Sequence, residues 1–515
     1  RRGIVVLEID AIGRGNSGIP GELDDPDFDP TYGGQTSLAY LKSLAFVDAH
    51  KIGVMGHSLG AEMAYTMAVK DPSIAALVIS GFAYRDDAST SLPKNMLMIF
   101  GKYDEFRQRM TGTRDFEKEW MGTELTRRVF AVQTPELSKT YGNFKAGTAR
   151  RVFMPKITHL HTSHSSAAIA EALQWIQQAL NPAKKDWIPI DNQIWQIKEW
   201  STLVAMVACL ASLLPLGLVL LRTSFFRSLH FPVSPNYRCS GRAYVKPAII
   251  NGVLMWLYFP IIFVLFGIHV YLVRIDKVFP LMMTNGIVWW FLWINIIGFF
   301  FFKRWFKKQS RQNGLTLFEL GLSDQKDRFT LKGVFIAKTI LLALILFLFA
   351  YLLEHTLENV FIVDFRFIFP FASDLTPYRA QLWLAYFPFL LVGFLLLAIF
   401  LHGQLRPPLK STWMRSFISW SLFNILVLII PLVLFLLVQY VPLFISGAIP
   451  FVGPGGMFIA YTHNLFHFIV VLILVIPIST WFYQLTGRIY LGAMLNAALV
   501  TWMFVSSQVI APIPV

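Results

Sequence analysis

The hydrophobic pattern changes character part-way along the chain. Up to about residue 180, short apolar runs alternate with amphipathic stretches. Ile4–Ile9, Lys51–Met55, Ile74–Ser80, Met96–Phe100 and Arg151–Met154 predict strands. Ser37–Leu44, Leu59–Val69, Phe116–Val129 and Ala167–Leu180 predict helices. Buried apolar strands alternating with helices predict a parallel sheet covered on both faces. Asn181-Pro182-Ala183-Lys184-Lys185 ends the last of these helices, and the Trp-rich segment to Trp200 reads as an interfacial linker. From about Leu203, apolar runs near the roughly 20 residues that span a bilayer recur. They lie around 201–221, 247–273, 279–302, 334–353, 380–401, 417–439, 464–486 and 489–510, eight spans in all. The expected organisation is an α/β domain over 1–183, a juxtamembrane linker over 184–200 and an all-α polytopic transmembrane domain over 201–515.

Composition agrees with this division. Of 515 residues, 55% are hydrophobic and only 15% are charged, against about 25% charged in soluble domains. Residues 1–200 hold 23 Lys+Arg and 23 Asp+Glu, so the net charge of +14 belongs entirely to the apolar part. There it follows membrane topology, and no nucleic-acid partner is expected. Alternate loops, carrying Arg222, Arg227, Arg238, Arg242 and Lys246 in the first case, hold 18 of the 22 cations after residue 200. By the positive-inside rule these loops are cytoplasmic, so the α/β domain and Val515 are expected outside. Cys209 and Cys239 are the only cysteines, which excludes a disulfide scaffold. The chain opens on Arg1-Arg2-Gly3 and runs straight into Ile4–Ile9; it reads as a fragment continuing from upstream sequence.

The sharpest chemical signal is Gly56-His57-Ser58-Leu59-Gly60, which follows the apolar Ile52–Met55 and precedes a helical stretch. Such glycines let a strand turn abruptly into a helix, leaving the Ser58 hydroxyl exposed on a strained turn. The helix start offers the Leu59 amide to an oxyanion. A serine nucleophile then needs an acid and a base, in that order along this kind of scaffold. Asp104 follows the strand Met96–Phe100, with Glu105 competing beside it. The base lies in Ile157-Thr158-His159-Leu160-His161-Thr162-Ser163-His164. His159 leaves the strand at the most suitable distance, His161 is the alternative base, and His164 is nearly on the next helix. No Cys or Asp lies in that segment and no HExxH pattern occurs, so no metal and no other cofactor is expected.

Residues 3–180 resemble the later two-thirds of an α/β-hydrolase domain of the serine esterase, lipase and peptidase type. Asp10-Ala11-Ile12-Gly13-Arg14-Gly15-Asn16-Ser17 is similar to the family's D-x-x-G-x-G-x-S turn, Gly56–Gly60 to its nucleophile elbow, Asp104 to its acid and His159 to its base. The resemblance implies a Ser58–His159–Asp104 triad with half the oxyanion hole from Leu59. It also implies that the family's first three strands and its other oxyanion donor precede the sequence given.

The expected function is extracytoplasmic cleavage of an ester, thioester or amide through an acyl-enzyme, on a small acyl ester or a lipid at the membrane. A peptidase shares the triad. A transporter or lipid-handling protein with a hydrolase-like sensor domain is the alternative of another class. Pro442, Pro450 and Pro454 make 443–456 its candidate re-entrant element. Elsewhere in the apolar part, His463 with His467, and Glu354, His355 and Glu358, read as polar residues at helix ends.

Overall fold

The computed structural model describes residues 2–21, 25–234, 244–326 and 328–510. Arg238, Cys239, Arg242 and Val515, used above, lie outside the described residues. The chain forms two compact units, Arg1–Gln196 with Leu437–Ala460, and Ile197–Leu436 with Tyr461–Val515.

In the first unit, β1 (Gly53–His57), β2 (Ala76–Ser80), β3 (Met96–Ile99) and β4 (Arg150–Phe153) form a parallel sheet in sequential order. Helices α1 (Gly34–Ser43), α2 (Leu59–Lys70), α3 (Arg107–Thr111), α4 (Glu124–Phe130) and α5 (Ser166–Leu180) accompany it. The two-residue repeat of a strand sends successive side chains to opposite faces. Leu77, Ile79, Met96 and Met98 join the cluster containing Ala64, Tyr65 and Ala68 of α2. Val78, Leu97 and Ile99 join Ala168, Ala172 and Trp175 of α5. Each of these buried Val, Leu, Ile and Met side chains stabilises the fold by about 1.5–3 kcal/mol.

Two local expectations are corrected. Ile4–Ile9 forms no regular element and belongs to no sheet, and Val6 is 81% exposed. Its apolar pattern suits a strand, but a strand forms only where a neighbour completes its hydrogen-bond ladder. The helix expected over Phe116–Val129 is broken into a π-turn, Phe116–Trp120, and α4. Gly122 lies at the break, and the Thr123 hydroxyl accepts the Thr126 N–H at 3.2 Å as an N-cap, so local capping overrides the apolar period.

The second unit is helical. Among the described residues, seven helices are long and apolar enough to cross a membrane: α6 (Trp195–Arg222), α9 (Met282–Asn313), α10 (Gly333–Phe361), α11 (Pro377–Ala398, continued as a π-turn to Gln404), α12 (Trp413–Ser446), α13 (Met457–Thr486) and α14 (Tyr490–Ser507). The run 247–273 is a bent pair, α7 (Val245–Met255) and α8 (Tyr258–Tyr271), meeting at 44°, which makes eight spans if counted as one. Pro260 explains the break, since it has no N–H to give the Trp256 carbonyl one turn earlier. Both α12 and α13 extend at one end into the first unit. A two-stranded antiparallel ribbon, β5 (Phe365–Phe367) and β6 (Phe369–Ala372), joins α10 to α11.

Candidate active site

Ser58 sits between β1 and α2 with φ 55° and ψ −121°, backbone that an L-residue adopts only under strain. The turn is tight because Gly56 and Gly60 meet: a Cβ on Gly56 would lie 2.1 Å from the Gly60 carbonyl oxygen. The Ser58 N–H donates to the Ser80 carbonyl at 2.8 Å, anchoring the turn to β2, and its own carbonyl accepts the Ala61 N–H at 2.9 Å. Leu59 is the first residue of α2, so its amide belongs to the first turn, which a helix leaves without internal acceptors.

The acid and base loops are brought together by backbone pairing beyond the sheet. The Lys102 N–H donates to the Pro155 carbonyl at 2.8 Å and the Tyr103 N–H to the Ile157 carbonyl at 3.0 Å. Tyr103 and Thr158 thereby form a parallel bridge. Asp104 and His159, each one residue further on, consequently face each other. Gly101 permits this approach, since a Cβ there would lie 2.5 Å from the Ile157 carbonyl oxygen.

The side chains form one hydrogen-bonded chain. His159 Nδ1 donates to Asp104 Oδ2 at 2.8 Å, and the Ser58 hydroxyl donates to His159 Nε2 at 2.9 Å. Asp104 Oδ1 accepts the Phe106 N–H at 2.9 Å. Both Asp104 and His159 are buried, while Ser58 is half-buried and reachable. Burial opposes a charge on His159, but Asp104, through its charge and hydrogen bond, and then Glu105 outweigh it and hold the imidazole above its ordinary value.

The remaining candidates separate clearly. The His161 ring is exposed, with Nδ1 2.8 Å from the Thr158 hydroxyl. His164 lies beside Ser163 and against Trp195. Glu105 Oε2 accepts the main-chain N–H of His159 at 2.7 Å. His57 Nε2 donates to the His159 carbonyl at 3.0 Å. Gly81, after β2, has φ +63°, and a Cβ there would lie 2.9 Å from His159 Cε1. Sequence reasoning missed Gly81, although a glycine directly after a buried parallel strand was a usable signal.

Residues 35–121 match the family model described as BAAT / acyl-CoA thioester hydrolase C terminal. No curated protein and no solved structure matches the chain. The stretch similar to the thioester hydrolase model includes Ser58 and Asp104 and ends before His159. It points to a hydrolase of acyl or thioester bonds and is consistent with an α/β-hydrolase-like unit.

Proposed function

We propose that this chain is a membrane-anchored serine hydrolase that cleaves acyl thioesters or carboxylic esters through an acyl-enzyme on Ser58, His159 and Asp104. The observation that carries the reading is the unbroken Ser58–His159–Asp104 hydrogen-bond chain on a positive-φ strand-to-helix turn. The similarity to thioester hydrolases favours thioester and ester substrates over peptides. Residues 1–183 are read as the α/β-hydrolase domain and 201–515 as its membrane domain, with 184–200 between them.

Ser58 Oγ attacks the acyl carbonyl while its proton passes to His159 Nε2, and Asp104 stabilises the resulting imidazolium. The Leu59 N–H donates to the oxyanion. Collapse of the tetrahedral intermediate breaks the acyl–sulfur or acyl–oxygen bond, and the leaving group takes the proton from His159. Water, deprotonated by His159, then attacks the acyl-serine; the carboxylic acid leaves and the Ser58 hydroxyl is restored. No cofactor enters this scheme.

The cation-rich alternate loops support an extracytoplasmic hydrolase, where substrates would be acyl groups at or near the bilayer. A fluorophosphonate probe should label the full chain and not Ser58→Ala. A membrane-impermeant version should label intact cells. An unlabelled wild type that also leaves short acyl thioesters and esters intact overturns the enzyme reading; labelling only after permeabilisation overturns the orientation.

A further inference from the structure

The proposed chemistry leaves a second buried carboxylate beside the site without a role. Glu105 directly follows Asp104 and is 4% exposed. Its Oε2 accepts the His159 main-chain N–H at 2.7 Å, and its Oε1 accepts the hydroxyl of Tyr440 at 2.8 Å. Tyr440 lies near the end of α12, in the stretch Leu437–Ala460 that belongs to the first compact unit.

That stretch contacts residues on both sides of Asp104 in the acid loop. Phe444 packs edge-on against Tyr103, ring centroids 5.1 Å apart. The Arg107 guanidinium donates to the Lys102 carbonyl at 2.8 Å and also to the Gly447 carbonyl. Phe106 clusters with Ile449 and Ile459, and its ring meets that of His159 edge-on with centroids 4.9 Å apart. Tyr103, Glu105, Phe106 and Arg107 are therefore each held by 437–460.

We propose that Glu105 and Tyr440 are positioning residues for the base: the Tyr440 hydroxyl orients Glu105, and Glu105 fixes the main chain of His159 so that its ring reaches both Asp104 and Ser58. This rests on the serine-hydrolase reading. A buried carboxylate is costly unless donors satisfy its oxygens, and here one donor is the amide of the base itself. His57 holds the carbonyl of the same residue, so the His159 backbone is fixed on both sides. Shifting it by a fraction of an ångström moves the imidazole relative to the Ser58 hydroxyl, and proton transfer is sensitive to that distance. The Pro- and Gly-rich stretch that suggested a re-entrant element is thereby assigned to the hydrolytic site.

The test uses the full chain with a short acyl thioester, comparing Tyr440→Phe, Glu105→Ala and Glu105→Gln. Tyr440→Phe keeps the ring and its packing, and kcat should fall about tenfold with KM and melting midpoint unchanged. Glu105→Ala should lose about a hundredfold in kcat. Glu105→Gln, whose amide oxygen still accepts the His159 N–H, should recover activity to the level of Tyr440→Phe. Wild-type kcat in both Tyr440→Phe and Glu105→Ala overturns the proposal, as does a loss confined to KM or to melting. A wild type unreactive towards fluorophosphonate removes the serine reading and this inference together, whereas a labelled wild type with indifferent variants removes only the Tyr440–Glu105 role.

Discussion

Replacing Asp104 by asparagine tests the electrostatic part of the site with almost no change of shape. Asp104 and His159 are 1% and 3% exposed, so water screens their interaction poorly. With Nδ1 and Oδ2 2.8 Å apart, the charge centres of imidazolium and carboxylate lie about 4 Å apart. At an effective dielectric constant near 20 the attraction is about 4 kcal/mol. That energy is gained only when His159 has taken the Ser58 proton, so losing it slows the chemical step by about a thousandfold. The amide adds a second penalty. Its oxygen can still accept the Phe106 N–H, which turns its NH2 group towards His159 Nδ1. The ring then carries its proton on Nε2 and cannot accept one from Ser58. Thiol release from a short acyl thioester, followed with a thiol-reactive chromophore, gives kcat and KM for the purified full chain. We expect kcat to fall by at least about a thousandfold, KM to stay within about threefold, and fluorophosphonate labelling to slow in parallel with kcat. A folded Asp104→Asn protein within about tenfold of wild-type kcat would refute the assignment of Asp104 as the partner of the imidazolium.

Three further outcomes follow from the same geometry. Gly81→Ala costs about 1–2 kcal/mol for its positive φ and pushes a methyl group into the His159 ring; kcat should fall by about ten- to a hundredfold with little change in KM, and wild-type kcat would refute the packing argument. Because His159 is held above its ordinary value, the acid limb of kcat/KM should lie above pH 6.5 and move down in Asp104→Asn. The same shift gives folded-state stability that is full below the unfolded value of His159 and is lost as pH rises through the folded value. The melting advantage of wild type over Asp104→Asn should therefore shrink as pH rises past the ordinary imidazole value, and a constant gap would refute this. Thr123→Ala removes the cap of α4 and should cost about 1 kcal/mol, read as faster amide exchange over 124–130 with kcat unchanged; unaltered exchange there would show that the cap is not needed.

What could be read from the chain follows the range of the interactions involved. The turn around Ser58 was legible because its geometry is local: two glycines within five residues dictate the crossing, and the flanking apolar runs dictate strand and helix. Asp104 and His159 were legible as residues leaving the ends of neighbouring parallel strands, though not the Tyr103–Thr158 bridge that brings them into register. The runs after Leu203 were legible because apolar length alone marks them. Ile4–Ile9 misled because strand propensity describes a surface suited to a neighbour rather than the presence of one. The ribbon of β5 and β6 lay hidden in apolar sequence whose periodicity resembles that of any buried segment, whereas the bend between α7 and α8 had a local signal in Pro260.

Glu105 shows where such reading stops, and why. From sequence it competes with Asp104 for one role, because two adjacent carboxylates after a strand offer the same chemistry. The structure separates them by their donors. Asp104 accepts from the ring of His159 and the Phe106 N–H; Glu105 accepts from the main chain of His159 and from Tyr440. Each buried charge is compensated, but by different partners, and one of these stands 335 residues along the chain. No spacing rule reaches that far. A carboxylate in so closed a position is an acceptor in need of two donors, and counting those donors is what brings Tyr440 to the site.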